Sequence, residues 1–151
     1  MVVWVIGLSG AGKTVLGSSV VELSKAKGFN TMHIDGDVIR AVFDDDLGHS
    51  LEDRKKNAAR ICRLGKFLSD NGMVVICSVL SVSEEHREWN RQNLQHYFEV
   101  YIDADIDDLV DRDVKGLYAK YNSGEISEVV GLDLPFETPV NSDLVIKNNG
   151  S

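Results

Sequence analysis

The chain has 151 residues, 43% of them hydrophobic and 26% charged, an ordinary globular composition with room for one core and no apolar run near the ~20 residues of a membrane span. Its formal net charge of −8 argues against nucleic acid as a partner, because such binders carry a basic face, but leaves open a small anion held by a few well-placed cations. Two cysteines, Cys62 and Cys77, make no disulfide framework, and the N-terminus shows no secretory pattern, so one domain over residues 1–151, two buried thiols and a cytoplasmic setting are expected.

In chain order, "VVWVI" (2–6) predicts a short, fully buried strand. A helix from Lys13 to Lys27 follows, with Val15, Leu16, Val20, Val21 and Leu23 as its apolar positions, stopped by Gly28. "FNTMHID" (29–35) predicts a second strand and 37–43 a short helix. Ser50 reads as the N-cap of a long helix, with Asp53 in the capping position and a buried stripe of Ala58, Ile61, Leu64, Phe67 and Leu68. "NG" at 71–72 ends it. "MVVICSVL" (73–80) predicts the third strand, 84–96 a charged helix, "YFEVYI" (97–102) the fourth strand, 106–113 a helix and "DLVIK" (143–147) the fifth strand. Residues 114–142 hold little periodicity and are too long for a connector, which points to a lid. Strands that are continuous apolar runs, alternating with helices, predict an α/β fold: a parallel sheet of about five strands with helices on both faces, in three layers.

Gly7-Leu8-Ser9-Gly10-Ala11-Gly12-Lys13-Thr14 matches the phosphate-loop pattern G-x-x-x-x-G-K-[ST], and it lies between a predicted strand and a predicted helix as that motif requires. Small residues at Gly7, Ser9, Gly10, Ala11 and Gly12 let backbone N–H groups converge on phosphate oxygens. Lys13 is placed to reach the β- and γ-phosphates of ATP or GTP and Thr14 to hold Mg²⁺. The fold is therefore expected to be that of the P-loop nucleotide-binding proteins.

Acceptor residues are sought at the carboxyl ends of the other strands, where ligands of open parallel sheets collect. "DGD" places Asp35 and Asp37 there. Asp37 is a candidate metal-linked or proton-accepting carboxylate, and both aspartates are also candidate helix caps. Arg54, Asn57 and Arg60 stand at i, i+3 and i+6 and so can meet one ligand, or form a solvated face. Ser81, after the third strand, is either a catalytic neighbour of the acceptor or a helix N-cap.

These motifs together resemble the adenylylsulfate kinase family, over nearly the whole chain: "GLSGAGKT" (7–14), "DGD" with Arg40, "DLG" (46–48), "DR" with Asn57 and Arg60, "EVYIDA" (99–104), "RDVKGLY" (112–118), "GEI" (124–126) and "GLDLPFE" (131–137). The resemblance implies an ATP-dependent kinase that phosphorylates the 3′-hydroxyl of adenosine 5′-phosphosulfate, giving 3′-phosphoadenosine 5′-phosphosulfate. It implies acceptor contacts from Arg40, Arg54, Asn57, Lys115 and Leu117, beside the strand-end candidates Asp35 and Asp37, a donor-adenine contact from Arg112, a lid over 112–137, and homodimers. Two departures fall on the acceptor side. His49 and Val129 stand where the family carries aromatics that sandwich the acceptor adenine, a stack worth about 1–3 kcal/mol per base. Ser81-Val82-Ser83-Glu84 replaces a family "SPxR", so an acid stands where a cation is expected. The same chemistry on a cytidine nucleotide such as cytidine diphosphoramidate is compatible with these changes. A small-metabolite kinase and a non-catalytic nucleotide-binding regulator are the remaining alternatives.

Overall fold

The computed structural model describes residues 1–149. It contains β1 (Val2–Ile6), α1 (Lys13–Ala26), β2 (Thr31–Asp35), α2 (Gly36–Val42), α3 (Leu51–Asp70), β3 (Val74–Val79), α4 (Glu84–Asn93), β4 (Tyr97–Asp103), α5 (Ile106–Arg112), α6 (Leu117–Asn122) and β5 (Leu144–Lys147). The strands form one sheet in the order β2-β3-β1-β4-β5, every pair parallel. β1 is central, with Val2 opposite Val75 on one side and Tyr97 on the other. Among the described residues no helix is long and apolar enough to cross a membrane.

Alternation along the strands divides the core in two. Trp4, Ile6, Cys77 and Val79 point to the side covered by α3, where Ile61 and Cys62 meet them. Val5, Ile76 and Val100 point to the other side, against Val21, Leu109 and Tyr118. Both faces are thus covered, which is why the strands read as continuous apolar runs. Cys62 and Cys77 are free and buried, and burial pushes the Cys62 thiol up to about 12.

The helices follow the expected order but not every expected face. α1 buries Gly17 and Val21, whereas Val15 and Leu23 are exposed. A helix lying flat on a sheet needs small residues at its closest approach, and Gly17 supplies it. α3 buries Asn57, Ala58, Ile61, Cys62 and Gly65, leaving Phe67 in solvent. Ser50 caps α3 by accepting from the Asp53 N–H, but the Asp53 carboxylate turns away to the Gly48 N–H at 3.0 Å and does not complete a reciprocal box.

The segment 114–142 is not wholly irregular. α6 forms inside it, capped by Asp113, whose two carboxylate oxygens accept from the Tyr118 and Ala119 N–H groups at 3.0 and 2.8 Å. Further on, the Asp133 carboxylate takes the Glu128 and Val129 N–H groups, and Val130 bridges to Leu134.

Candidate active site

The loop between β1 and α1 needs glycine at two points: Gly10 and Gly12 have φ of +81° and +101°, where a side chain is strained. Gly12 caps α1 without a side-chain hydrogen bond, so no side chain competes at the N–H groups of its first turn. Lys13 folds over the loop and donates to the Leu8 carbonyl at 2.8 Å. Burial, reinforced by the Lys115 charge and partly offset by Asp35 and Asp37, lowers its pKa to about 8. The Thr14 hydroxyl donates to Asp35 Oδ2 at 2.7 Å, while Asp35 Oδ1 caps α2 through the Asp37 N–H at 3.0 Å.

From Lys13 and Thr14 a cavity of about 620 Å³ runs along the carboxyl ends of β2 and β3 to the segment 115–130. Five cations, Lys13, Arg40, Arg54, Lys115 and Lys120, line it, in a chain of net charge −8. Asp35, Asp37, Glu125 and Glu128 line it as well, and Lys115 and Lys120 are paired with Asp37 and Glu125, which leaves Lys13, Arg40 and Arg54 as the cations best placed to meet a small anion. Arg40 is buried and tied to the Leu47 and Gly48 carbonyls at 3.3 and 2.7 Å, which shapes the turn before His49. Arg54 joins that turn to the segment 114–142 by donating to the carbonyls of His49 and Glu128, both at 2.8 Å. Burial, then the charges of Arg40 and Arg54, hold the His49 imidazole below its ordinary pKa, favouring the neutral ring. The Asn57 side-chain N–H donates to the Gly36 carbonyl at 3.2 Å, and among the described residues its buried Oδ1 has no partner.

Lys115 Nζ sits 3.0 Å from Asp37 Oδ2. Partial desolvation at the cavity mouth opposes ionisation of Asp37, but the hydrogen bond and charge of Lys115, backed by Lys13 and Arg40, outweigh it and hold the carboxyl below the usual range. Leu117 and Val129 complete the wall, Val129 as a buried core residue at 2% exposure. Ser81 reaches the wall too, in the left-handed region at φ +52°. Its hydroxyl faces Trp4 Nε1 at 3.3 Å and Arg87 at 3.4 Å. The N-cap position of α4 belongs to Ser83, so the capping alternative for Ser81 does not hold.

Some expected neighbours lie elsewhere. Arg60 is ion-paired with Asp46 and stacked on Phe43, outside the cavity. Glu84 faces Arg87 and Arg91, so the acid in place of the expected cation is already neutralised. Arg112 stands at the far side of the phosphate loop, donating to the Asn148 carbonyl at 2.9 Å. The Asn148 side chain in turn donates to the Ala11 carbonyl at 3.0 Å. Gly7 is packed against Ile102, where a Cβ would stand 3.1 Å from the Ile102 carbonyl oxygen.

Comparison with known proteins agrees with this geometry. The family model for adenylylsulphate kinase matches residues 1–147. The chain belongs to the adenylylsulfate kinase family. It is 40% identical over 151 residues to the cytidine diphosphoramidate kinase of Campylobacter jejuni, covering 98% of this chain and 86% of that one. It is also 40% identical over 147 residues to the adenylyl-sulfate kinase of Halothermothrix orenii, covering 97% and 80%. The APS kinase CysC of Mycobacterium tuberculosis, solved with AMPPNP and APS, superposes with a TM-score of 0.92 at 36% identity, covering 99% of this chain and 89% of that one. The protein is accordingly an ATP-using P-loop kinase, a phosphotransferase acting on a hydroxyl group.

Three features of this kinase's site go beyond the roles read from the sequence, although Tyr118 closes the "RDVKGLY" motif. Lys120 and Glu128 line the cavity from a stretch without periodicity. Tyr118, buried at 2%, ties α6 to the phosphate loop by donating to the Ser9 carbonyl at 2.9 Å. His33 and Ser78 lie behind Lys13, joined by a hydrogen bond of 2.9 Å.

Proposed function

We propose that this kinase transfers the γ-phosphoryl group of ATP to the 3′-hydroxyl of a nucleoside 5′-diphosphate-like acceptor, with adenosine 5′-phosphosulfate as the acceptor. The observation that carries this reading is the continuous cavity from Lys13 and Thr14 to Arg40, Arg54 and Lys115, which has cations for a donor phosphate chain at one end and for an acceptor anion at the other.

In this reading Gly7 to Thr14 cradle the donor phosphates, Lys13 draws charge toward the β- and γ-phosphates, and Arg112 meets the donor base. Arg40, Arg54 and Asn57 hold the acceptor, and His49, Val129 and Leu117 bound its base. Asp37 orients the attacking hydroxyl. Its low pKa suits an ionised orienting group better than a strong base, and phosphoryl transfer needs mostly positioning and charge neutralisation. Ser81, its hydroxyl engaged by Trp4 and Arg87, acts as wall.

Thr14 and Asp35 fit Mg²⁺: a hydroxyl and a carboxylate in contact are hard oxygen donors, and Mg²⁺ is held by one or two carboxylates with phosphates and waters rather than by an all-protein cage. The sequence pattern points to Asp37 for this role, but Asp37 faces Lys115 and Asp35 is the carboxylate against Thr14. Bound there, Mg²⁺ supplies neutralisation of the β- and γ-phosphate charge.

A second reading, a cytidine nucleotide such as cytidine diphosphoramidate as acceptor, is favoured by His49 and Val129, which offer a base no aromatic sandwich. Parallel turnover assays with both acceptors, following ADP release, decide between them. The leading reading expects a higher kcat/KM with adenosine 5′-phosphosulfate, and a preference for the cytidine nucleotide overturns it in favour of the second.

A further inference from the structure

β2 and β3 hold the start of α1 at two points. At one, Asp35 accepts from the Thr14 hydroxyl. At the other, two residues back on the same strand, His33 Nε2 lies 2.9 Å from Ser78 Oγ, and that hydroxyl donates to the main-chain carbonyl of Lys13 at 3.0 Å. Residues i and i+2 of a strand share a face, so His33 and Asp35 both look toward α1.

The direction of the second contact follows from proton counting. A serine hydroxyl has one proton. It is spent on Lys13, so Ser78 Oγ is the acceptor toward His33, and His33 Nε2 carries the hydrogen. The chain runs from imidazole N–H to hydroxyl to the Lys13 carbonyl. It sits in a closely fitted place: Ser78 is 2% exposed, and a Cβ on Gly17 would stand 2.5 Å from Ser78 Oγ and 2.6 Å from His33 Nε2. No L side chain fits there without displacing one of the pair, so α1 approaches this closely only because residue 17 is glycine.

We propose that His33 and Ser78 are a positioning pair for the ATP phosphate site. They fix the main chain of Lys13 while Asp35 fixes the side chain of its neighbour Thr14, so two adjacent phosphate-binding residues are held by neighbouring strands, Lys13 from Ser78 on β3 and Thr14 from Asp35 on β2. Ser78 lines the cavity but is 2% exposed, with its hydroxyl proton spent on the Lys13 carbonyl, so the pair acts through Lys13. The assignment rests on the reading that Lys13 and Thr14 hold the phosphates of ATP.

The test uses Ser78→Ala, His33→Leu, His33→Gln and the Ser78→Ala/His33→Leu double variant. Affinity for a non-hydrolysable ATP analogue is measured by calorimetry without acceptor, beside KM for each substrate and thermal melting. Ser78→Ala and His33→Leu are expected to weaken ATP binding about three- to tenfold, the scale of one neutral hydrogen bond, with acceptor KM unchanged. His33→Gln, which keeps a terminal N–H donor, restores ATP affinity. The double variant binds no more weakly than Ser78→Ala alone, because His33 acts only through Ser78. Wild-type ATP affinity in Ser78→Ala and His33→Leu, with only a lowered melting point, overturns the proposal. So does a His33→Gln variant as weak as His33→Leu, or an additive double variant. If Ser78→Ala does not fold, the His33 pair of variants decides. Failure of the unmodified protein to bind the ATP analogue overturns the donor reading instead, which keeps the two failures apart.

Discussion

Lys115 and Asp37, 78 residues apart in the chain, meet at 3.0 Å across the mouth of the cavity. Both side chains are more than half exposed, at 56% and 73%, so the pair is worth at most about 1 kcal/mol to stability. Its consequence is positional: it brings the segment before α6 to the start of α2 and places a second cation near Lys13.

Asp37→Asn should therefore separate activity from stability. The expected result is a fall in kcat of about 10²-fold or more, the scale of a misplaced attacking group, with the melting point nearly unchanged. The pH profile adds a sign. A carboxyl held below its ordinary pKa is ionised throughout the neutral range, and what it contributes is lost only as pH falls through the folded value. Activity assigned to Asp37 should stay level from pH 8 down to about 5. An acid limb near neutrality that disappears in Asp37→Asn counts against the role.

Lys13 carries a different pH signature. Its pKa falls from 10.5 to about 8 because it is buried. ATP phosphates favour the charged form, so binding near pH 8 should take up a proton, and affinity should fall by up to about tenfold per unit above that. Calorimetry in buffers of different ionisation enthalpy reads the uptake directly. The stability sign is the reverse. Between about 8 and 10.5 this amine holds more protons in the unfolded chain than in the nucleotide-free fold, so its own contribution to stability rises with pH in that window, and below 8 the full cost of burying the charge is present. Lys13→Met should raise the melting point while lowering kcat by about 10²-fold or more, the scale of one lost electrostatic stabiliser. Unaltered turnover in that variant would remove Lys13 from the mechanism.

Gly17→Ala tests the close approach of α1. On helix propensity alone the change gains about 1 kcal/mol. The added Cβ, however, would meet Ser78 Oγ at 2.5 Å and His33 Nε2 at 2.6 Å. Overpacking costs of about 1–3 kcal/mol should reverse the sign and lower the melting point. A stabilised Gly17→Ala variant would mean that α1 sits farther from β3 than described.

What the sequence made legible was whatever has a local physical signature. The phosphate loop has one, in its spacing and its strand-to-helix context, and so do the apolar runs of β1, β3 and β4, whose two-sided burial implies parallel order, whereas the edge strands β2 and β5 are partly exposed. The faces of α1 and α3 were less legible, because their closest contacts use Gly17, Asn57 and Gly65, which an apolar count passes over. α6 is too short for a period and depends on the Asp113 cap. Choosing between Asp35 and Asp37 as the partner of Thr14 requires knowing how the chain leaves β2, because the two carboxylates are equivalent as text.

His49 and Val129 differ as sites for testing the acceptor base. Both line the cavity, but Val129 is 2% exposed and packed in the core with Ile102 and Leu109. Replacing it with phenylalanine would add volume to a filled space at a cost of about 1–3 kcal/mol, so lost activity in Val129→Phe could reflect repacking alone. His49 lies on a turn held by backbone bonds: Arg40 grips Gly48 O and Arg54 grips His49 O. Its ring is thus replaceable without undoing the turn. His49→Phe should leave the melting point in place and lower KM for adenosine 5′-phosphosulfate by about fivefold or more, since one aromatic–base stack is worth about 1–3 kcal/mol. The same variant should gain less with a cytidine nucleotide, whose single ring offers less area to stack. ADP-release kinetics with both acceptors give the two ratios. Equal improvement for both bases would mean that residue 49 touches the ribose or phosphate end of the acceptor and leaves the base to other walls of the cavity.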